Sequence, residues 1–261
     1  MKNRINELFE RKNQNILSVF FTAGYPELND TVTILELLEQ NGVDMVEIGM
    51  PFSDPTADGP VIQQSSDRAL KNGMSVEKLF SQLKDIRSKV QIPLILMGYF
   101  NPVLQYGVDS FCRKCRETGI DGVILPDLPP EEFNAHYRRY FEENNLHFIL
   151  LITPQTSDER IREIDRQSGG FIYMVSSSST TGSSVKEADL QTEYFERIKK
   201  MNLKNPLLIG FGISDRESFQ HACQYAHGAI VGSAFIKAIG QTKPLDIIID
   251  EFIHSFRGFL S

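Results

Sequence analysis

The 261-residue sequence predicts an α/β protein, one (β/α)8 barrel preceded by an extra helix, and three observations carry that expectation. Short apolar runs alternate with longer amphipathic ones from one end of the chain to the other. The short runs are apolar almost throughout rather than at every second residue, which suits strands covered on both faces. Eight alternations over a chain of this length match a closed TIM-type barrel. No G-x-G-x-x-G follows the first strand, as an open dinucleotide-binding sheet would require.

In chain order, MKNRINELFERK is the extra helix, amphipathic and expected to cap the bottom of the barrel. The strands are ILSVFFT (16–22), VDMVEIG (43–49), IPLILMG (92–98), DGVILPD (121–127), HFILLIT (147–153), GFIYMVS (170–176), NPLLIGFG (205–212) and GAIVGS (228–233). Helical patterns such as DTVTILELLEQNG, SVEKLFSQLKDIRSK, PEEFNAHYRRYFEENN and SDERIREIDRQ lie between them, with apolar residues recurring at three and four. Asp30 and Ser75 stand where a helix N-terminus needs a cap, and Gly42 and Gly119 where its C-terminus needs a left-handed residue. No linker or low-complexity tract divides the chain, so residues 1–261 are expected to form a single domain.

With 41% hydrophobic and 23% charged residues, the composition excludes a largely disordered chain. A net charge of -7 disfavours nucleic acid as a partner, because neutralising phosphates takes a concentrated basic surface. No run reaches membrane-spanning length and the N-terminus has no apolar leader core, so the expected location is cytoplasmic, with no membrane partner. Cys112 and Cys115 sit one turn apart inside the helical segment VDSFCRKCRETG, without a second pair to complete four zinc ligands. The five histidines are scattered, and no metal site is expected.

Barrel chemistry lies at the C-terminal ends of the strands, where the loops converge. VEIGMPFSDPTADGP places Glu47 in the second strand and Asp54 and Asp58 in the loop after it. Glu47 among Met45, Val46, Ile48 and Met50 is costly to desolvate, so its pKa should rise and it can hold or release a proton near neutrality. Asp58, beside Ala57 and Gly59 in a more open loop, should stay ionised. Asp54 and Asp58 can equally serve as caps for loop N–H groups. Late in the chain STTGSS, GFGIS and VGSAFIK put glycines at successive strand-to-helix junctions, where backbone N–H groups and helix N-termini attract a phosphate. Phe20, Tyr99, Leu125, Tyr173 and Phe211 can line an apolar slot between these ends, so the expected substrate has an aromatic body and a phosphorylated tail.

The segment VEIGMPFSDPTADGPVIQ, with FFTAGYP, LMGYFNP, DGVILPDLP, IGFGIS and GAIVGSAFIK in order, closely resembles the tryptophan synthase alpha subunit family from end to end. The resemblance implies a (β/α)8 lyase that cleaves indole-3-glycerol phosphate to indole and glyceraldehyde 3-phosphate, by a retro-aldol reaction in tryptophan biosynthesis. It implies Glu47 as acid and base and Asp58 as the carboxylate that binds the indole N–H. By the same resemblance Phe20, Ile62, Tyr99, Leu125 and Tyr173 contact the indole and glycerol portions, and Gly182, Phe211, Gly212, Gly232 and Ser233 surround the phosphate. Thr181 closes over the site toward Asp58. The family works with a beta subunit, expected as an alpha2beta2 assembly, in which pyridoxal phosphate belongs to the beta subunit and this subunit carries no cofactor. Pro51, Asp54, Pro55 and Asn101 are the implied contacts with that partner. The loop after the sixth strand departs from the family's S-R-x-G-V-T-G: it reads SSSSTTG, with Ser177 for the arginine and Ser179 for the first glycine.

Overall fold

Runs of buried apolar residues pair side by side in parallel and close into a ring, wrapped by helices. The computed structural model of the chain describes residues 2–176 and 185–257, with the backbone alone for 185–190. Helix α1 (Arg4–Arg11) precedes β1 (Ile16–Thr22), α2 (Asp30–Gln40), β2 (Met45–Gly49), α3 (Pro60–Lys71), α4 (Val76–Gln82) and β3 (Leu94–Met97). Then follow α5 (Phe100–Tyr106), α6 (Val108–Thr118), β4 (Gly122–Ile124), α7 (Pro130–Glu132), α8 (Arg138–Glu143), β5 (His147–Phe148) and β6 (Leu150–Ile152). The last elements are α9 (Asp158–Gln167), β7 (Ile172–Val175), α10 (Val185–Lys200), β8 (Leu207–Gly210), α11 (Arg216–Cys223), β9 (Gly228–Val231), α12 (Ser233–Ile239) and α13 (Leu245–Arg257).

The sheet has nine strands in the order β5-β4-β3-β2-β1-β9-β8-β7-β6. Its two ends, β5 and β6, are consecutive in the chain and separated only by Ile149, so they form one stave of an eight-stave barrel. β5 pairs with β4 and β6 with β7, and the Ile149 N–H continues the first pairing by donating to the Val123 carbonyl at 2.9 Å. The sequence pattern HFILLIT reads as one strand; the ring closes within it, and half of its length pairs on each side.

Helix α1 covers the bottom, with Ile5 and Leu8 buried. Its cap residue Asn3 accepts the Ile5 N–H, and the Asn3 amide donates to the carbonyls of Asp121 (2.7 Å) and Asn145 (3.1 Å). Ser75 caps α4 by accepting the Lys78 N–H at 3.1 Å. Asp30 does not cap: it lies inside the first turn of α2 and accepts the Glu27 N–H at 3.1 Å, because the helix begins one residue earlier than the hydrophobic pattern indicates. Gly42 and Gly119 are both left-handed, with φ 77° and 75°. The continuous helix expected over PEEFNAHYRRYFEENN is interrupted by a π turn at Phe133–Tyr137. Cys112 and Cys115 are buried in α6, where desolvation pushes the Cys112 thiol up to about 12. Among the described residues no helix is long and apolar enough to cross a membrane.

Candidate active site

Neighbouring parallel strands point paired residues to the same side, so the register places the site. Phe20 of β1 stands beside Glu47 of β2, which stands beside Ile95 of β3. Ser18, two residues before Phe20, shares its face, and its hydroxyl donates to Glu47 Oε1 at 3.4 Å. Glu47 is 0% exposed, and its second oxygen, Oε2, has no hydrogen-bond partner among the described residues. Desolvation in this apolar setting pushes its carboxyl up to about 8, opposed only by the Ser18 hydroxyl. The side chain is therefore a neutral acid at pH 7.

Phe20 also lines a cleft, together with Thr22, Met50, Phe52, Asp58, Ile62, Met97 and Tyr99, among others. Asp58 is half-buried rather than open, which corrects the expectation from its glycine and alanine neighbours. The ring of Phe52 stacks on that of Tyr99 (centroids 5.1 Å apart), and the Tyr99 hydroxyl donates to Asp58 Oδ2 at 3.2 Å while accepting the Ala57 N–H at 2.9 Å. Burial pushes the Asp58 carboxyl up to about 6, and the Tyr99 hydrogen bond holds it down. At pH 7 it remains mostly ionised, one unit above that value. The expected split between a neutral Glu47 and an ionised Asp58 thus holds with a narrower margin.

Tyr173 of β7 is buried, and both Glu47 and Asp58 oppose its ionisation. A Cβ at residue 210 would collide with its hydroxyl, so Gly210 at the end of β8 makes room for that hydroxyl. The chain then turns sharply: Phe211 and Gly212 both have positive φ, 69° and 72°. For a phenylalanine this conformation is strained. The Ser176 hydroxyl sustains it, lying 2.7 Å from the Phe211 carbonyl and 3.0 Å from the Gly210 carbonyl. Phe211 lies 6.2 Å from the Tyr173 ring, edge-on. Gly232 precedes Ser233 at the start of α12, and a Cβ there would touch the Phe20 ring at 3.6 Å, so this turn adjoins the apolar slot.

Of the expected site residues Phe20, Asp58, Ile62 and Tyr99 line the cleft, whereas the buried Glu47, Leu125 and Tyr173 and the turns at Phe211, Gly212, Gly232 and Ser233 do not. Thr181 and Gly182 lie outside the described residues, as does the rest of the serine-rich tract after Ser176. Of the partner contacts, Asp54 and Asn101 are exposed and Pro51 is partly so, while Pro55 is buried in its own loop, its carbonyl 3.3 Å from the Gln63 amide. Sequence reasoning missed Ser18 and Phe52. A lone hydroxyl in the otherwise apolar ILSVFFT and an aromatic in PFSDP were signals for both.

Residues 7–251 match the family model described as tryptophan synthase alpha chain. The tryptophan synthase alpha chain of Flavobacterium psychrophilum is 62% identical over 235 residues, which cover 90% of this chain and 92% of that one. That of Flavobacterium johnsoniae is 59% identical over 255 residues, covering 98% and 100%. Among solved structures, tryptophan synthase subunit alpha from Legionella pneumophila superposes with a TM-score of 0.87 at 35% identity, covering 98% of each chain. A chain of Mycobacterium tuberculosis tryptophan synthase in its aminoacrylate-bound form gives 0.85 at 29% identity, again covering 98% of each.

Proposed function

The chain belongs to the tryptophan synthase alpha chain family, and from that premise we propose that Glu47 and Asp58 divide its chemistry between them. The protein is a lyase that cleaves indole-3-glycerol phosphate in tryptophan biosynthesis, in a family that works with a beta chain. Carbon–carbon cleavage cannot begin while the ring carbon bearing the glycerol chain is part of the aromatic system. Glu47, held neutral by burial, donates its proton to that carbon and leaves an indolenine-like cation. The ring N–H becomes more acidic, and the Asp58 carboxylate, oriented by Tyr99, stabilises the positive charge. Glu47, now a carboxylate, takes the glycerol hydroxyl proton as the bond breaks. The bonding electrons return to the ring, a carbonyl forms on the departing carbon, and indole and glyceraldehyde 3-phosphate result with no net proton gained or lost.

One observation supports this reading: a fully buried carboxyl with an oxygen left without a partner among the described residues, paired in register with Phe20, which lines a cleft that contains a second carboxylate. Phe20, Ile62, Tyr99, Leu125 and Tyr173 surround the indole and glycerol portions, with Leu125 contributing from behind the cleft wall. The turns at Phe211, Gly212, Gly232 and Ser233 bind the phosphate together with Gly182, and Thr181 closes the site; the last two assignments rest on family resemblance. Pro51, Asp54 and Asn101 meet the beta chain in an alpha2beta2 assembly in the cytoplasm, and pyridoxal phosphate resides in that partner. The half-exposed Leu104, on the same helix as Asn101, supports an interface there. Supplying indole-3-glycerol phosphate with a beta chain present and measuring indole release tests the site: Glu47→Gln should lower release by about 100-fold or more while the variant still co-elutes with the beta chain. Undiminished release would remove Glu47 from the mechanism.

A further inference from the structure

Between β8 and α11 the chain makes a turn whose two ends are anchored by backbone pairing and by a helix cap. At the first end the Gly210 carbonyl accepts the Ser176 N–H at 3.1 Å, which continues the pairing of β7 with β8. At the second, Asp215 caps α11 by accepting the Ser218 N–H at 2.8 Å, and the Ser218 hydroxyl accepts the N–H groups of Ser214 and Asp215 at 3.1 and 3.2 Å. Phe211, Gly212 and Ile213 lie between these anchors. Phe211 is held at φ 69°, a conformation that its side chain disfavours.

One side-chain hydrogen bond fixes this middle stretch. Ser176 is 1% exposed, and its hydroxyl lies 3.0 Å from the Gly210 carbonyl and 2.7 Å from the Phe211 carbonyl. A hydroxyl has a single proton to give. The Gly210 carbonyl already has the Ser176 N–H, whereas the Phe211 carbonyl has no other donor among the described residues, so the proton goes to Phe211.

That bond orients the next N–H. The peptide from Phe211 to Gly212 is trans, and a trans peptide points its C=O and N–H in opposite directions. With the Phe211 carbonyl drawn inward to Ser176, the Gly212 N–H faces outward. Gly212 is exposed, and its N–H has no hydrogen-bond partner among the described residues. A Cβ at residue 212 would meet nothing nearer than Ser176 Oγ at 3.7 Å, so glycine serves the φ of 72° here rather than a close approach.

We propose that Ser176 is a positioning residue for the substrate's phosphate: its hydroxyl, through the Phe211 carbonyl, holds the Gly212 N–H outward as a preformed donor. This rests on the assignment of the phosphate to that turn made above. Without the hydroxyl, Phe211 relaxes out of the left-handed region, and binding must first re-form the turn, which lowers the apparent affinity.

The probe is glycerol 3-phosphate, titrated at fixed pH into the ¹⁵N-labelled full chain and followed at the Gly212 amide. In the wild type that amide is expected to shift on binding. Ser176→Ala should raise the dissociation constant about 5- to 100-fold. Ser176→Cys keeps the buried volume with a weak donor and should fall between the two, so it tests the same bond if the alanine variant does not fold. With the beta chain and indole-3-glycerol phosphate, KM of the alanine variant should rise by a similar factor while kcat is largely retained. Phe211→Gly removes the strain, so Ser176→Ala made in that background should weaken binding less than it does in the wild type. A Gly212 amide unmoved in the wild type takes the phosphate away from this turn, and this inference with it. A moved amide with affinity unchanged in both Ser176 variants overturns the role of Ser176 alone, as does a loss confined to kcat or an equal loss in the Phe211→Gly background.

Discussion

The barrel buries a carboxylate near each end and surrounds the two in opposite ways. At the bottom, Asp121 is 1% exposed and receives Arg87 at 2.6 Å, Arg4 at 3.1 Å and the Leu94 N–H at 3.0 Å. At the rim, Glu47 is 0% exposed and receives one long hydrogen bond from Ser18. Burial raises both carboxyls; at Asp121 the two arginines oppose it, whereas at Glu47 only a neutral hydroxyl does. A buried charge that is fully partnered fastens elements together, here α1 to the ends of β3 and β4. A buried neutral carboxyl left without a partner retains bonding capacity that a substrate can use.

If this contrast is right, two amide substitutions should fail in different ways. Glu47→Gln should lower indole release by about 100- to 10,000-fold, the usual contribution of a positioned acid or base, with the denaturant midpoint at neutral pH not reduced. Asp121→Asn should do the reverse. It leaves Arg87 buried without its counter-charge and should cost roughly 3–5 kcal/mol of stability by urea unfolding, with turnover of the molecules that remain folded unchanged. Matching losses of turnover at both sites would break the comparison.

A pH series sharpens it. The Glu47 carboxyl titrates at about 8 in the folded chain against 4.5 in the unfolded one, so the folded state holds the extra proton between those values. Wild-type stability relative to Glu47→Gln is greatest below the lower value and falls as pH rises toward the upper one. The gap should widen by about 1.4 kcal/mol per pH unit across that window in parallel thermal melts. Turnover should be bell-shaped, rising through about 6 as Asp58 ionises and falling through about 8 as Glu47 loses its proton. The smallest effect belongs to Tyr99→Phe. It removes the donor to Asp58 and should move the acid limb of that profile upward, with a loss of about 1 kcal/mol in transition-state stabilisation, read from kcat/KM.

Much of this is legible in the sequence, and the remainder is hidden for definable reasons. Continuous apolar strands and a charged residue inside one of them are local patterns, so the barrel and Glu47 can be read directly. The environment of Asp58 cannot, because it is made by Tyr99, 41 residues away and delivered by the next stave. Ser18 acquires meaning only through the register that brings β1 beside β2, and Pro55 looks available until the fold buries it. The division of HFILLIT into two half-strands is likewise invisible, since neither half departs from strand composition.

That division has a mechanical consequence. Elsewhere in the wall each stave is zipped to both neighbours, but at residues 147–152 the lower half holds one neighbour and the upper half the other, with continuous backbone as the clasp. The ring is thus joined at that point through one peptide segment, whose Ile149 N–H is still held by the Val123 carbonyl, and this join lies opposite β1, the strand beside Glu47.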